Sequence, residues 1–196
     1  MKPEPHIPQH NLPPLSDKEG SFFGELIRFV LISLAIVIPV RLYIAEPFIV
    51  SGSSMTPTFE TGHYLIVDQV SYRFDAPERG DVVVFRYPKD PSKFFIKRVI
   101  GLPGETIRIK DKSVLIYNET YPDGLLLNEP YIKDMPQENT ETALGESEYF
   151  VMGDNRGASS DSRIWGPLEK DEIVGQAFLR LFPVTEFGVL PGEYNQ

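Results

Sequence analysis

Between Arg28 and Arg41 the chain runs FVLISLAIVIPV, without a single charge. Widened to Phe22–Ala45, the apolar stretch is 24 residues long, and its only charges are Glu25, Arg28 and Arg41. A lipid-spanning helix needs about 20 such residues, and long charged side chains near its ends can reach the headgroups. A run this apolar has few other fates. As a buried core helix it would need helical partners to cover it on all sides, and little else in the chain reads as helix. As a cleaved leader it has a long polar segment ahead of it, and Tyr43 spoils a small-x-small site ending at Ala45. The reading is one transmembrane anchor over 22–45, preceded by a disordered, proline-rich tail over 1–21. Lys18 and Arg28 precede the apolar core and Arg41 follows it, which favours a cytoplasmic N-terminus.

Composition bounds the rest. The 196 residues include 18 Pro and 15 Gly, which argues against an all-helical bundle, because proline removes a backbone donor and clashes with the preceding turn. There is no cysteine, so disulfides, thiolate nucleophiles and Cys-ligated zinc are excluded. Two of the three histidines, His6 and His10, lie in the tail, which argues against a three-histidine metal site. The net charge of −9 argues against generic binding to nucleic acid. All of that charge lies after residue 45, since the first 45 residues hold four basic and four acidic side chains.

Residues 46–196 read as strands. Apolar, β-branched or aromatic runs occur at 64–70, 82–87, 94–100, 106–110, 113–117, 148–152 and 172–182, separated by Gly- and Pro-containing turns. The pattern predicts a mainly β, all-β domain, a barrel or coiled sheets. The acidic segment 133–148 reads as a surface loop within an insertion spanning about 111–148.

Three segments can carry chemistry. Ser51-Gly-Ser-Ser-Met-Thr-Pro-Thr58 is either a connecting loop or the seat of a nucleophilic serine, with Gly52 permitting an unusual backbone. In Phe94-Phe-Ile-Lys-Arg-Val-Ile100, strand alternation puts Phe95, Lys97 and Val99 on one face. If that face is buried, desolvation lowers the lysine pKa and makes it a base able to take a serine proton; otherwise it is an ordinary solvated lysine. Gly153-Asp-Asn-Arg-Gly-Ala-Ser-Ser-Asp-Ser-Arg163 is either a polar turn or a support for such a site, with Asp161 and Arg163 spaced to pair and Ser159 or Ser160 able to hydrogen-bond a neighbouring catalytic group. His63 lies nine residues from Ser54 with no context for a histidine triad, whereas a Ser-Lys pair needs no histidine.

Taken together, EPFxVxGxSMxPT at 46–58, RGDVVVF at 79–85, FIKRVIGLPGE at 95–105 and GDNRxxSxDSR at 153–163 resemble bacterial type I signal peptidase (leader peptidase). The likeness runs from about residue 22 to 182, in the compact single-span form of cyanobacterial, plastid and Gram-positive members. It implies a coiled all-β catalytic domain with a smaller β insertion, behind one membrane helix. It implies a membrane-bound serine endopeptidase that cuts secretory preproteins after small-x-small motifs and needs neither cofactor nor metal. By that resemblance Ser54 is the nucleophile, Lys97 the general base and Ser159 the hydroxyl that orients the lysine amine. Asp161 with Arg163, and Asp154 with Arg98, are supporting ion pairs, while Phe85, Phe95 and Val151 wall the lysine. Phe48, Val50, Met55, Phe59, Phe95 and Ile96 match positions lining pockets for small side chains. The partners implied are preproteins and membrane lipid, in a plasma or thylakoid membrane, with the catalytic domain on the side away from the cytoplasm. The sequence departs from some relatives at Gly52, where they carry a serine whose hydroxyl helps bind the oxyanion. Two other readings are a self-cleaving Ser-Lys protease of the SOS-repressor kind, which would carry a DNA-binding domain instead of an anchor, and an inactive tethered β module.

Overall fold

The computed structural model describes residues 19–43, 45–132 and 134–193. Of the tail expected to be disordered, residues 1–18 lie outside that set. The chain divides into two compact units between Pro39 and Val40.

The first unit holds most of α1 (Glu19–Tyr43), a 25-residue helix. At about 1.5 Å per residue it is about 37 Å long, enough to cross a hydrocarbon core of about 30 Å. Over Phe22–Pro39 the mean hydropathy is 2.1, and none of that window is buried inside the protein. Pro39 falls in the last two turns, where the helix hydrogen bond it removes leaves only a few residues of helix beyond it. The helix is therefore long and apolar enough to span a membrane, and it does not serve as a core helix.

The second unit is β. Its strands are β1 (Ala45–Ile49), β2 (Tyr64–Asp68), β3 (Val82–Tyr87), β4 (Asp90–Gly101), β5 (Thr106–Lys110), β6 (Ser113–Tyr117), β7 (Leu125–Leu126), β8 (Thr140–Ala143), β9 (Glu148–Met152), β10 (Leu168–Glu169), β11 (Ile173–Phe182) and β12 (Gly188–Val189). A one-turn helix, α2 (Ser162–Trp165), sits between β9 and β10. The larger sheet has the order β1-β2-β11-β3-β4-β9-β10, with β12 beside β11; the smaller has β7-β6-β5-β8. Every pairing is antiparallel.

Alternation explains the layers. On β5 and β6, Ile107, Ile109, Val114 and Ile116 point inward. They pack with Ile100, Phe150 and Met152 of the large sheet, so the insertion shares an apolar core with the domain that carries it. Strand β3 is buried on both faces. Val82 joins Val50, Met55, Phe59 and Leu65 on one side, while Val83 and Phe85 join Val99, Tyr149 and Val151 on the other. A strand covered on both faces reads as a continuous apolar run, which is what VVVF is.

Four boundaries differ from the sequence reading. The helix begins at Glu19, so residues 19–21 of the expected tail are helical, in one continuous run with the apolar stretch. The apolar helix ends at Tyr43, and Ala45–Ile49 forms β1, because its backbone pairs with β2 from Ala45↔Asp68 to Ile49↔Tyr64. The insertion's sheet starts with β5 at Thr106, ahead of position 111, because β5 pairs with β6 and β8 rather than with β4. Within the acidic stretch expected to be loop, Thr140–Ala143 is a strand, placed by a distant partner: Arg108 lies opposite Glu141 and bonds it at 2.6 Å.

Candidate active site

The segment after β1 continues the β1–β2 ladder for two more rungs. Val50 N–H donates to the His63 carbonyl at 2.9 Å, and Gly62 N–H donates to the Val50 carbonyl at 2.9 Å. Beyond them Gly52 turns with φ +102°, a conformation that side-chain-bearing residues rarely adopt. Ser54 stands at the start of a turn anchored from below by Met55 and Phe59, both fully buried.

Lys97 comes from the middle of β4, directly opposite Val83 of β3. Its face is the apolar one holding Phe85, Phe95, Val99 and Val151, and the residue is only 3% exposed. The amine lies 2.8 Å from Ser54 Oγ and donates to the Ile96 carbonyl at 2.8 Å. It also stands 5.3 Å from the centre of the Phe95 ring. Burial pulls the lysine down from 10.5 to about 8, against the opposing pull of the Asp161 and Asp154 carboxylates. A serine hydroxyl hydrogen-bonded to an amine that is easily neutral has the chemistry to act as a nucleophile with a base beside it.

The loop after β9 braces the serine segment. Asn155 N–H donates to the Ser54 carbonyl at 2.9 Å, and its side-chain amide donates to the Ser53 carbonyl at 3.0 Å. Gly153 lies in between. A Cβ there would sit 2.4 Å from the Ser54 carbonyl oxygen and 2.2 Å from Ser159 Oγ, so only glycine fits. Asp161 caps α2, accepts from Gly153 N–H at 3.0 Å, and takes both Arg163 Nε and Nη2, at 2.8 and 2.9 Å. Burial pushes the Asp161 carboxyl up, but the hydrogen bond and charge of Arg163, with the Gly153 N–H, outweigh it and hold the group below the usual carboxylate range. Arg98 grips Asp154 with Nε at 2.8 Å and Nη2 at 2.6 Å, and Thr58 Oγ1 donates to the same carboxylate at 2.5 Å.

The insertion reaches this loop through its own side chains. Glu129 pairs bidentately with the fully buried Arg156, Glu138 meets Arg163 at 3.2 Å, and the Tyr131 ring lies 4.2 Å from the Arg98 guanidinium carbon. All three arginines of the braces are thus held from two sides.

A cleft of about 500 Å³ opens beside Ser54 and Lys97. Phe48, Val50, Phe95 and Ile96 line it, together with Leu65, Val84 and Ala158, which the sequence had not singled out, and Ser160. Met55 and Phe59 do not line it. They pack into the core under the serine loop and can shape the cleft only from behind. Ser159 also sits differently from expectation. Its hydroxyl is buried on the Asp161 side of the loop without a well-aligned hydrogen bond among the described residues, and the lysine amine bonds the Ile96 carbonyl instead. His63 takes no part: its ring contacts Glu60 N–H, Arg180 and Glu186. Among the described residues no cluster of His, Asp or Glu could hold a metal ion. Asn155, Gly153 and Glu129 were missed as site supports. The first two stand inside a quoted motif, but only the fold shows that they touch the serine loop.

Comparison with known proteins agrees with this geometry. The family model described as "Signal peptidase, peptidase S26" matches residues 23–182, a span that includes Ser54 and Lys97. A probable signal peptidase I-1 of Synechocystis sp. is 39% identical over 177 residues, covering 86% of this chain and 87% of that protein. The signal peptidase I of Leptolyngbya laminosa is 36% identical, covering 96% and 94%. Signal peptidase IB of Staphylococcus aureus is 33% identical, covering 83% and 91%. Cyanobacterial and Gram-positive relatives therefore both align along most of their length, and the chain belongs to the signal peptidase family, peptidase S26.

Proposed function

We propose that this protein removes signal peptides from secretory preproteins, with Ser54 as nucleophile and Lys97 as general base. The observation that carries the reading is the 2.8 Å contact between the Lys97 amine and Ser54 Oγ on a buried apolar face. In the first half-reaction Ser54 Oγ attacks the scissile carbonyl carbon as its proton passes to the neutral Lys97 amine. The resulting ammonium then gives that proton to the leaving amine, and an acyl-serine remains. Lys97 next takes a proton from water, whose oxygen attacks the ester; as the acyl carbon–Oγ bond breaks the ammonium returns that proton to Ser54 Oγ, releasing the signal peptide's new carboxyl end and restoring the neutral amine. The Ser54 backbone N–H serves the oxyanion, and Gly52 supplies no hydroxyl for it.

The pairs Asp161–Arg163 and Asp154–Arg98 hold the loop that carries Ser159 in place. The substrate lies extended along β4. Among the described residues β9 pairs with β4 only from Arg98 to Gly101, so the edge at 94–97 is open to an added strand. Apolar walls from Phe48, Val50, Phe95 and Ile96 exclude large side chains by overlap, which gives the small-x-small preference. The N-terminal helix anchors the chain in a plasma or thylakoid membrane with its N-terminus cytoplasmic, placing the β unit on the opposite side, where translocated preproteins emerge.

The test is cleavage of a secretory preprotein in detergent micelles by wild type, Ser54→Ala and Lys97→Ala. Cleavage after a small-x-small site by wild type alone supports the reading. Turnover near wild type in either variant refutes the assigned pair.

A further inference from the structure

The ladder that ends in the serine loop has an unusual last rung. Up to Val50 the rungs are backbone to backbone. At Gly52 the partner is a single side chain: Gly52 N–H donates to Thr61 Oγ1 at 3.0 Å, and Thr61 Oγ1 donates to the Gly52 carbonyl at 3.1 Å. One hydroxyl thus satisfies both backbone groups of the residue two positions before Ser54. The backbone cannot make this rung, because the chain has already left strand geometry at Gly52 (φ +102°) and at Gly62 (φ +95°). Nothing packs against Gly52 from the side its Cβ would occupy, and both Gly52 and Thr61 are exposed. Asn155 holds the same loop further on, at Ser53 and Ser54.

We infer that Thr61 is a positioning residue that latches the Ser51–Ser53 segment into the form lining the cleft. The inference rests on the proposed cleavage at Ser54. Ser51, Gly52 and Ser53 line the cleft along with Phe95, Ile96 and Lys97. An extended substrate entering it needs that wall already in place. Without the latch the free enzyme holds the wall in its competent form for only a fraction of the time. Apparent substrate affinity falls by that fraction, while a bound substrate re-orders the segment and then reacts at the normal rate. The latch also takes up the Gly52 N–H, so that group is not an oxyanion donor.

The experiment measures preprotein cleavage by the full chain in detergent micelles for wild type, Thr61→Val, Thr61→Ser and Ser54→Ala, with thermal unfolding followed through Trp165, the only tryptophan. Valine keeps the shape and removes the hydroxyl; serine keeps the hydroxyl. The expected result for Thr61→Val is a KM raised about tenfold, equivalent to about 1.4 kcal/mol, with kcat within about twofold and unfolding unchanged. Thr61→Ser stays near wild type. A Thr61→Val enzyme with wild-type KM overturns the inference. So does a lowered kcat at unchanged KM, the mark of lost folded enzyme, or a Thr61→Ser variant as impaired as valine. Activity in Ser54→Ala would instead refute the cleavage reading. An inactive Ser54→Ala beside an unaffected Thr61→Val refutes the latch alone.

Discussion

Replacing Lys97 with methionine tests whether burial sets the state of this amine. The folded-state pKa of about 8 lies below the unfolded value of 10.5. Between those values the unfolded chain binds more protons than the folded one, so wild-type stability rises with pH across that window. Below about pH 8 both states are protonated and the penalty for the buried ammonium is present in full. The shift corresponds to about 3 kcal/mol at pH 6.5, at about 1.4 kcal/mol per pKa unit. By about pH 9.5 the folded amine is neutral and the penalty falls to about 1.4 kcal/mol. Methionine fills a similar volume and carries no charge, so the variant lacks this slope.

The variant also loses the hydrogen bonds to Ser54 and to the Ile96 carbonyl, worth roughly 1 kcal/mol each, but that loss varies little with pH. The clean quantity is therefore the change in the stability difference. Urea unfolding of both proteins in micelles, followed by Trp165 fluorescence, reads it. Trp165 suits the task because its ring lies 5.8 Å from Phe85, on the apolar cluster that covers Lys97. From about pH 6.5 to 9.5 the wild type gains about 2 kcal/mol on Lys97→Met. A difference that stays constant over that range, or changes in the opposite sense, refutes the claim that burial depresses this lysine.

In the proposed mechanism the same pKa governs catalysis. Only the neutral amine is a base, so kcat/KM rises about tenfold per pH unit below about 8 and levels off above it, and a flat profile in the mildly acidic range contradicts the lysine base. Gly153→Ala places a methyl 2.4 Å from the Ser54 carbonyl and loses activity at least about tenfold even where the chain folds, as single-turnover kinetics would show. Asp154→Ala leaves Arg98 buried without its carboxylate and lowers the unfolding free energy by about 3–5 kcal/mol, read by urea unfolding. Gly52→Ser adds the hydroxyl that some relatives carry, but at φ +102° a side chain strains the backbone by about 1–2 kcal/mol. Its expected effect is a lowered kcat/KM, and a raised kcat would show that the added donor outweighs the strain.

Local signals made some parts of this protein legible and left others hidden. The apolar helix was readable because apolar length in one continuous run is a property of the sequence itself. Strands β2, β3, β5, β6 and β9 were readable because their burial, alternating or continuous, is written into adjacent residues. Lys97 was readable as a candidate base because its own-face neighbours in the strand are Phe95 and Val99. Strand β8 was not readable: TETA has no apolar stripe, and it is a strand only because β5 offers an open edge and Arg108 offers Glu141 a charge. Met55 and Phe59 matched positions that line a pocket, yet residue type does not say which side of a loop a side chain takes. Here they face the core.

What the sequence determined by itself was the division into an apolar helix and an acidic β-rich remainder, and the set of side chains able to carry serine chemistry. Tertiary structure decided which of those side chains meet. Ser54 and Lys97 are 43 residues apart, and the bond between them depends on how β1 and β4 are placed in one sheet. The Glu129–Arg156 pair and the Thr61–Gly52 latch were likewise invisible in advance, because polar residues in turns and loops carry no periodicity. Alternation along a strand is set by covalent geometry and shows in the sequence. Contact between distant segments is set by packing, and it exists only once the sheets have closed around their shared core.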